Sequence, residues 1–250
     1  MGVTVARQAS VARRPSAARR ASGSAAPVRP RWSNYPVPLA ELTGPTQEAL
    51  ELVRDGDQFK WYVVWMLVAV MWMYSVEIER RAWPVVAAGL ALWSADWINE
   101  ILNSVFLELN DTAPFWATTG PTAYQIFVGL NVEISLMFAI FGLAYAKTLP
   151  VDREARILGM NNRLALALLF SVISVGIEVV LNQLDVLHWH WWWWDWPFVP
   201  LIVVFGYLWF FLAAAHAHDL PTDRERFRFV GRLAAVAATL ALVTGVLGWL

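Results

Sequence analysis

Four acids, Asp96, Glu100, Glu133 and Glu178, stand inside apolar stretches, and four asparagines, Asn99, Asn103, Asn131 and Asn182, accompany them. A charged side chain at the centre of a membrane helix costs about 2.5–3.5 kcal/mol on the insertion scale. Carboxyl groups gathered where water is scarce can divide the roles of acid and base between them. Neighbouring asparagines can orient such groups by hydrogen bonding. The opposing reading is that Asn and Glu bridge helices and do no chemistry. Shared faces on two helices exceed what bridging requires, so Glu100 and Glu178, then Glu133 and Asp96, are the candidate catalytic residues.

The elements that would position them are membrane spans. Hydrophobic residues make up 58% of the 250-residue chain and charged residues 16%, with a mean hydropathy of +0.46. A soluble domain is about a quarter charged. Six apolar blocks are each near the roughly 20 residues a crossing needs: 59–78, 84–107, 122–146, 163–183, 197–218 and 228–249. The expected fold is all-α, a polytopic transmembrane helical bundle of about six spans, with seven possible, over residues 59–250. A short interfacial amphipathic segment, 46–58, precedes it, with a helix starting at Thr46. Residues 1–45 read as a tail rich in Arg, Ala, Ser and Pro. Its first 40 residues hold seven arginines and no acid, which predicts disorder, a targeting peptide being the alternative. The chain has no cysteine, so disulfides, thiolate metal sites and cysteine nucleophiles are excluded. Nothing in it reads as a cofactor motif or a nucleic-acid surface.

Charge sets the expected topology. The first, third and fifth connections hold ten Lys and Arg, the second and fourth none. By the positive-inside rule the odd connections are cytoplasmic, in what is expected to be the cell membrane. Positions 96, 99, 100 and 103 then share one face of the second span, and Ser171, Ser174, Glu178, Asn182 and Asp185 one face of the fourth. In the third span Asn131 and Glu133 point in opposite directions. That places the third span at the bundle centre, with all four acids converging in the outer half of the membrane. The sixth span, with Ala234, Ala235, Ala237, Ala238, Ala241 and Gly245, reads as a structural helix with small faces for close packing.

Six of the 16 tryptophans lie between His188 and Pro197, in the fourth connection. An aromatic belt at the membrane interface accounts for most of them. Some should turn inward over the acids, and Trp93, Trp97 and Trp116 could join from the other side. Candidate substrate-binding residues are therefore Asn99, Asn103, Asn131, Asn182, Trp93, Trp97, Trp191 and Trp194. His188 and His190 with Asp185 are the candidates for a metal, but their spacing matches no ligand signature, and no metal is expected. Pro197 suits the first position of the fifth span.

In Trp97-Ile-Asn-Glu100, and in Glu178 followed by the tryptophan-rich segment through Pro197, the chain resembles the small polytopic membrane terpene cyclases and related carotenoid-pathway enzymes. That resemblance implies acid-initiated cyclase or isomerase chemistry on an isoprenoid or other lipid, with Glu100 or Glu178 as the acid. The alternatives are a proton-coupled small-molecule carrier or receptor, and a structural subunit of a membrane complex. Protein partners are not indicated. Against a carrier stand the absence of an internal repeat and the confinement of polar residues to one leaflet.

Overall fold

The computed structural model describes residues 42–250, so the expected tail lies outside the described residues except for its last four, of which Gly44 and Pro45 already belong to the first helix. Seven helices are found there: α1 Gly44–Leu52, α2 Tyr62–Glu79, α3 Trp83–Asn110, α4 Val132–Thr148, α5 Asn162–Gln183, α6 Val199–Asp219 and α7 Asp223–Leu247. Five of them, α2, α3, α5, α6 and α7, are long and apolar enough to cross a membrane. Helix α4, with 17 residues, lies at the short end of the spanning range. The all-α membrane bundle is therefore the observed fold.

Local chemistry sets the helix ends. The Asn161 side chain accepts from the backbone of Arg163 and Leu164 at the start of α5, and Thr222 and Glu225 form a reciprocal capping box at the start of α7. Helix α3 opens with Pro84 in its first turn and closes on Asp111 in the left-handed conformation.

Two connections depart from expectation. The third block is not helical from residue 122: the helix begins at Val132, with Asn131 as its cap accepting from the Ile134 N–H. Residues 122–131 instead form an irregular pairing, with Gln125 bridging to Val53 and to Asn131. Asn131 is thus a capping residue and not a polar group within a span. Helix α6 likewise begins at Val199, two residues past Pro197, which follows a cis peptide bond. Near its start α6 widens into a π-helical turn, Ile202–Tyr207.

At one end of the bundle the second and fourth connections join. Strand β1 (Trp116–Thr118) pairs antiparallel with β4 (Leu187–Trp189), Trp116 opposite Trp189. Helix α1 packs on this ribbon through Ala49, Leu50 and Val53, against Leu107, Ala117 and Val128. At the opposite end lie the ion pairs: Arg163 holds Asp219 with two bonds of 2.8 Å, and Lys147 pairs with Glu77. The first, third and fifth connections all sit at this arginine-rich end. Between them β2 (Arg156–Ile157) and β3 (Met160–Asn161) form a small hairpin.

The centre is α3, not the third span. It packs against α4, α6 and α7, and its buried small residues Ala87, Ala88, Gly89 and Ala91 let those helices approach. The closest crossing is with α4. A Cβ on Gly142 would lie 2.8 Å from the Gly89 Cα, and one on Gly89 would lie 2.5 Å from the Tyr74 hydroxyl. By contrast the small residues of α7 are mostly turned outward; of those singled out by sequence only Ala237 is buried.

Gly142→Ala should therefore force α3 and α4 apart and destabilise the protein by about 1–3 kcal/mol, the usual cost of overpacking. Gly176→Ala, where no atom lies within 4 Å of the added carbon, should leave stability unchanged or slightly raised. Thermal unfolding of both variants in one detergent checks the contrast.

Candidate functional site

The polar face of α3 meets α5 and α6 just beneath the β1–β4 ribbon. Asp96, Asn99 and Glu100 from α3, Glu178 from α5, and Gly206, Tyr207 and Phe210 from α6 surround a gap completed by Trp116, Phe138, Trp194 and Ile202. Its walls enclose about 270 Å³ of empty space, open mouth included. The part of it that a water-sized sphere can occupy is about 20 Å³, room for about one water molecule, so a larger guest must spread the walls.

Asp96 and Glu100 are 1% and 4% exposed. Each acid is held differently. Glu100 Oε1 accepts from the Trp116 indole N–H at 3.1 Å, and Glu178 Oε1 accepts from the Tyr207 hydroxyl at 2.6 Å. Asp96 receives no hydrogen bond from any described residue, and its Oδ2 is buried without a partner, as are Glu100 Oε2 and Trp194 Nε1. A buried polar atom left unsatisfied costs about 1–3 kcal/mol, and three of the six such atoms among the described residues belong to walls of this one gap.

Local structure explains each position. Asn103, one turn beyond Glu100, is fully buried and grips the start of β1: its amide donates to the Trp116 carbonyl at 2.8 Å and its oxygen accepts from the N–H groups of Phe115 and Trp116. This clamp brings the Trp116 indole onto Glu100. Trp194 then stacks on Trp116, with centroids 6.3 Å apart and planes 19° apart. Gly206 lets the Trp194 ring lie against α6, because a Cβ there would stand 3.4 Å from the ring and 3.2 Å from Ile202. The π turn ends on Tyr207, which faces Glu178 across to α5 and stacks on Phe138, centroids 6.0 Å apart. Single π turns inside helices are frequent at functional sites.

Several residues expected at the site lie elsewhere. Glu133 sits in the first turn of α4 and accepts from the Thr122 hydroxyl at 2.6 Å, the Ala123 N–H at 2.7 Å and the Tyr62 hydroxyl. It anchors the connection and does not join the other three acids. Trp93 and Trp97 turn to the other side of α3, both donating to the Ser135 hydroxyl at 2.9 and 3.0 Å. Asn182 donates to the Leu187 carbonyl and Trp191 to the Pro114 carbonyl, closing the ribbon from below and above. Of the expected binding residues, Asn99 and Trp194 line the gap. Trp192 and Trp196 point outward, 72% and 63% exposed, as interfacial aromatics do.

Tyr207, Gly206, Phe138 and Phe210 were not anticipated. The available signal was a lone tyrosine preceded by glycine in an otherwise apolar span.

The histidines serve the ribbon. His188 Nε2 lies 3.0 Å from the Thr119 hydroxyl, and His190 lies between the hydroxyls of Thr43 and Thr46, at 3.3 and 3.5 Å. Asp185 is exposed in a turn with a positive φ of 55°. Among the described residues no three His, Asp or Glu side chains gather closely enough to share a metal ion.

A family model described as "Uncharacterized membrane protein family" matches residues 43–246. The chain belongs to this family. It is accordingly an integral membrane protein, as its apolar helices already indicate. The match to the family opens one residue before α1 and takes in every residue of the gap. A protein of Archaeoglobus fulgidus described as "Uncharacterized protein" is 42% identical over 210 residues, which cover 82% of this chain and 100% of that relative. No solved structure matches.

One pH dependence follows from the ribbon. Removal from water, with His188 beside it, pushes the His190 imidazole down from 6.5 to about 4. The fold thus favours neutral His190, while the unfolded chain protonates it near 6.5. The unfolded state binds more protons between these values, so this contribution is complete above pH 6.5 and is lost as the pH falls toward 4. His190→Gln, which stays neutral, should lessen the drop in thermal midpoint across that window.

Proposed function

We propose that this protein is an integral membrane enzyme that carries out acid-initiated chemistry of the cyclase or isomerase type on an isoprenoid or other lipid. The observation that carries the reading is the gap itself. Carboxyl oxygens of Asp96 and Glu100 without hydrogen-bond partners face a space walled by Trp116, Trp194, Tyr207, Phe138 and Phe210. An acid and a set of π faces are what a cationic reaction needs, since aromatic rings stabilise a nearby positive charge.

The roles follow from the hydrogen bonds. Asp96, to which no donor is directed, is assigned to deliver the proton. Its O–H bond breaks and a bond forms to an alkene carbon, or to an epoxide oxygen, leaving a carbocation among the rings. Glu178, steadied by Tyr207, takes a proton from the adjacent carbon and the C–H electrons form the new double bond. The proton passes back to Asp96 through the neighbouring carboxyl groups, so nothing is consumed and the lipid is rearranged. The walls part to admit the reacting end of such a molecule, and the rest of its chain stays among the surrounding lipid.

This arrangement favours catalysis over carriage. From Asp96 back toward the arginine-rich end, the buried residues of α3 are Ala95, Leu92, Ala91, Gly89, Ala88, Ala87 and Val86, with Ser94 the one hydroxyl, and Ser94 is spent on the Leu90 carbonyl. On α5 the buried hydroxyls of Ser174 and Ser171 are likewise spent on the Phe170 and Ala167 carbonyls, so these hydroxyls are bonded within their own helices and not to one another.

Expressed in an isoprenoid-producing host, the wild type should convert a lipid to an isomer of equal mass and different retention, and in D2O an alkene-derived product should carry deuterium at the protonated carbon. Asp96→Asn and Glu178→Gln should abolish it. Tyr207→Phe, which keeps both acids and removes only the hydrogen bond that steadies Glu178, should slow it roughly 10- to 100-fold, at or below the low end of the roughly 10²–10⁴ that acid–base catalysis contributes. Glu133→Gln should leave turnover within about twofold, because that side chain is spent on α4 and its connection. Full product from both Asp96→Asn and Glu178→Gln would sink the assignment.

A further inference from the structure

Helix α7 carries a feature that the acid site does not use. Arg224, Arg228 and Arg232 recur every four residues over its first turns, which places them on one side of the helix along about 12 Å of its axis. All three are exposed, and among the described residues none makes a hydrogen bond or an ion pair. The nearby charges are engaged with one another. Asp223 binds Arg226 at 2.6 Å, and Glu225, the acid closest to the same side, turns back onto the Thr222 hydroxyl at 2.8 Å.

What continues below the arginines decides their surroundings. The same side of α7 runs on through Ala235, Thr239, Leu242 and Val246, all exposed, and no ionisable side chain follows Arg232. An exposed apolar face on a membrane helix meets lipid tails, so arginines standing directly above it share the layer of those lipids' headgroups. The first turns are held in place there by the edge-on contact of Phe227 with Trp83, centroids 5.8 Å apart.

We propose that Arg224, Arg228 and Arg232 form a docking strip for the headgroups of anionic phospholipids. A guanidinium offers two parallel N–H donors to a phosphate, a match that an ammonium group lacks. Three unneutralised guanidiniums in a row favour a lipid with net negative charge over a zwitterionic one, whose own ammonium offsets the phosphate. The strip lies at the arginine-rich end, away from the acid site, so its occupancy and the chemistry of Asp96 can be tested apart.

The test is native mass spectrometry of the purified full chain with phosphatidylglycerol and phosphatidylcholine of identical acyl chains. The wild type should retain phosphatidylglycerol in preference. A basic residue near an anionic surface is worth roughly a fivefold gain in affinity, so R224Q/R228Q/R232Q should lower that preference by about tenfold or more. High salt should weaken it in the wild type, because exposed charges are screened. That salt series keeps the proposal open to refutation if the triple variant is unstable. Equal retention of the two lipids, a preference indifferent to salt, or an unchanged preference in the folded triple variant would each overturn it.

Discussion

A bilayer offers no water to a carboxyl group, so any donor that steadies one must come from the protein. Much of this structure can be understood from that constraint. Glu100 receives the Trp116 indole, which reaches it because Asn103 grips the first backbone groups of β1. Glu178 receives the Tyr207 hydroxyl, which lies at the end of a π turn in α6. The ribbon of β1 and β4, the helix α1 packed on it and the widened start of α6 look like ornaments on a simple bundle. Together they deliver two donors and two rings to the polar face of α3.

Helix α3 keeps structure and chemistry apart by giving each its own side. Toward α4 it presents Gly89, which meets Gly142 at near backbone distance, and the indoles of Trp93 and Trp97, both satisfied by Ser135. No polar atom of those two indoles is left over there. Toward α5 and α6 it presents Asp96, Asn99 and Glu100, where carboxyl oxygens are left without partners. Such an imbalance is costly in a membrane, where no water can satisfy the leftover oxygens. The rings of Trp116, Trp194 and Tyr207 line the gap that these residues share.

The spans and the shared face of Asp96, Asn99, Glu100 and Asn103 were legible in the sequence because both rest on simple periodicity. Glu178 was expected to converge with them only across a central third span, whereas α3 holds the centre and Glu178 reaches the gap from α5. The start of α4 was not legible, since an apolar extended segment and an apolar helix have the same hydropathy. The deciding marks were Pro121 and Gly129 ahead of Asn131, whose side chain caps the helix. Once residues 122–131 leave the helix, Glu133 moves from mid-membrane to the first turn, where three donors await it. The directions of the tryptophans were equally hidden, because an indole can bury its ring on either side and needs only one acceptor. Tyr207 escaped through geometry: a π turn shifts every later residue around the helix, so a wheel of 3.6 residues per turn misplaces it.

The two ends of the bundle handle charge by opposite rules. At the arginine-rich end nearly every buried charge has a counter-charge, as in Arg163 with Asp219 and Lys147 with Glu77. Such pairs lock helices at the point where water is near enough to share the cost of ionisation. At the ribbon end the gap holds three acids, Asp96 and Glu100 buried and Glu178 half-buried, with no basic residue among its walls. Neutral donors and π faces take the place of cations there. A cation in that position would bind the carboxyl groups permanently and leave nothing for a guest, whereas indole and phenol groups steady two of them and leave the third uncommitted. The choice of tryptophan and tyrosine over arginine and lysine is therefore what leaves carboxyl oxygens of the gap without a partner.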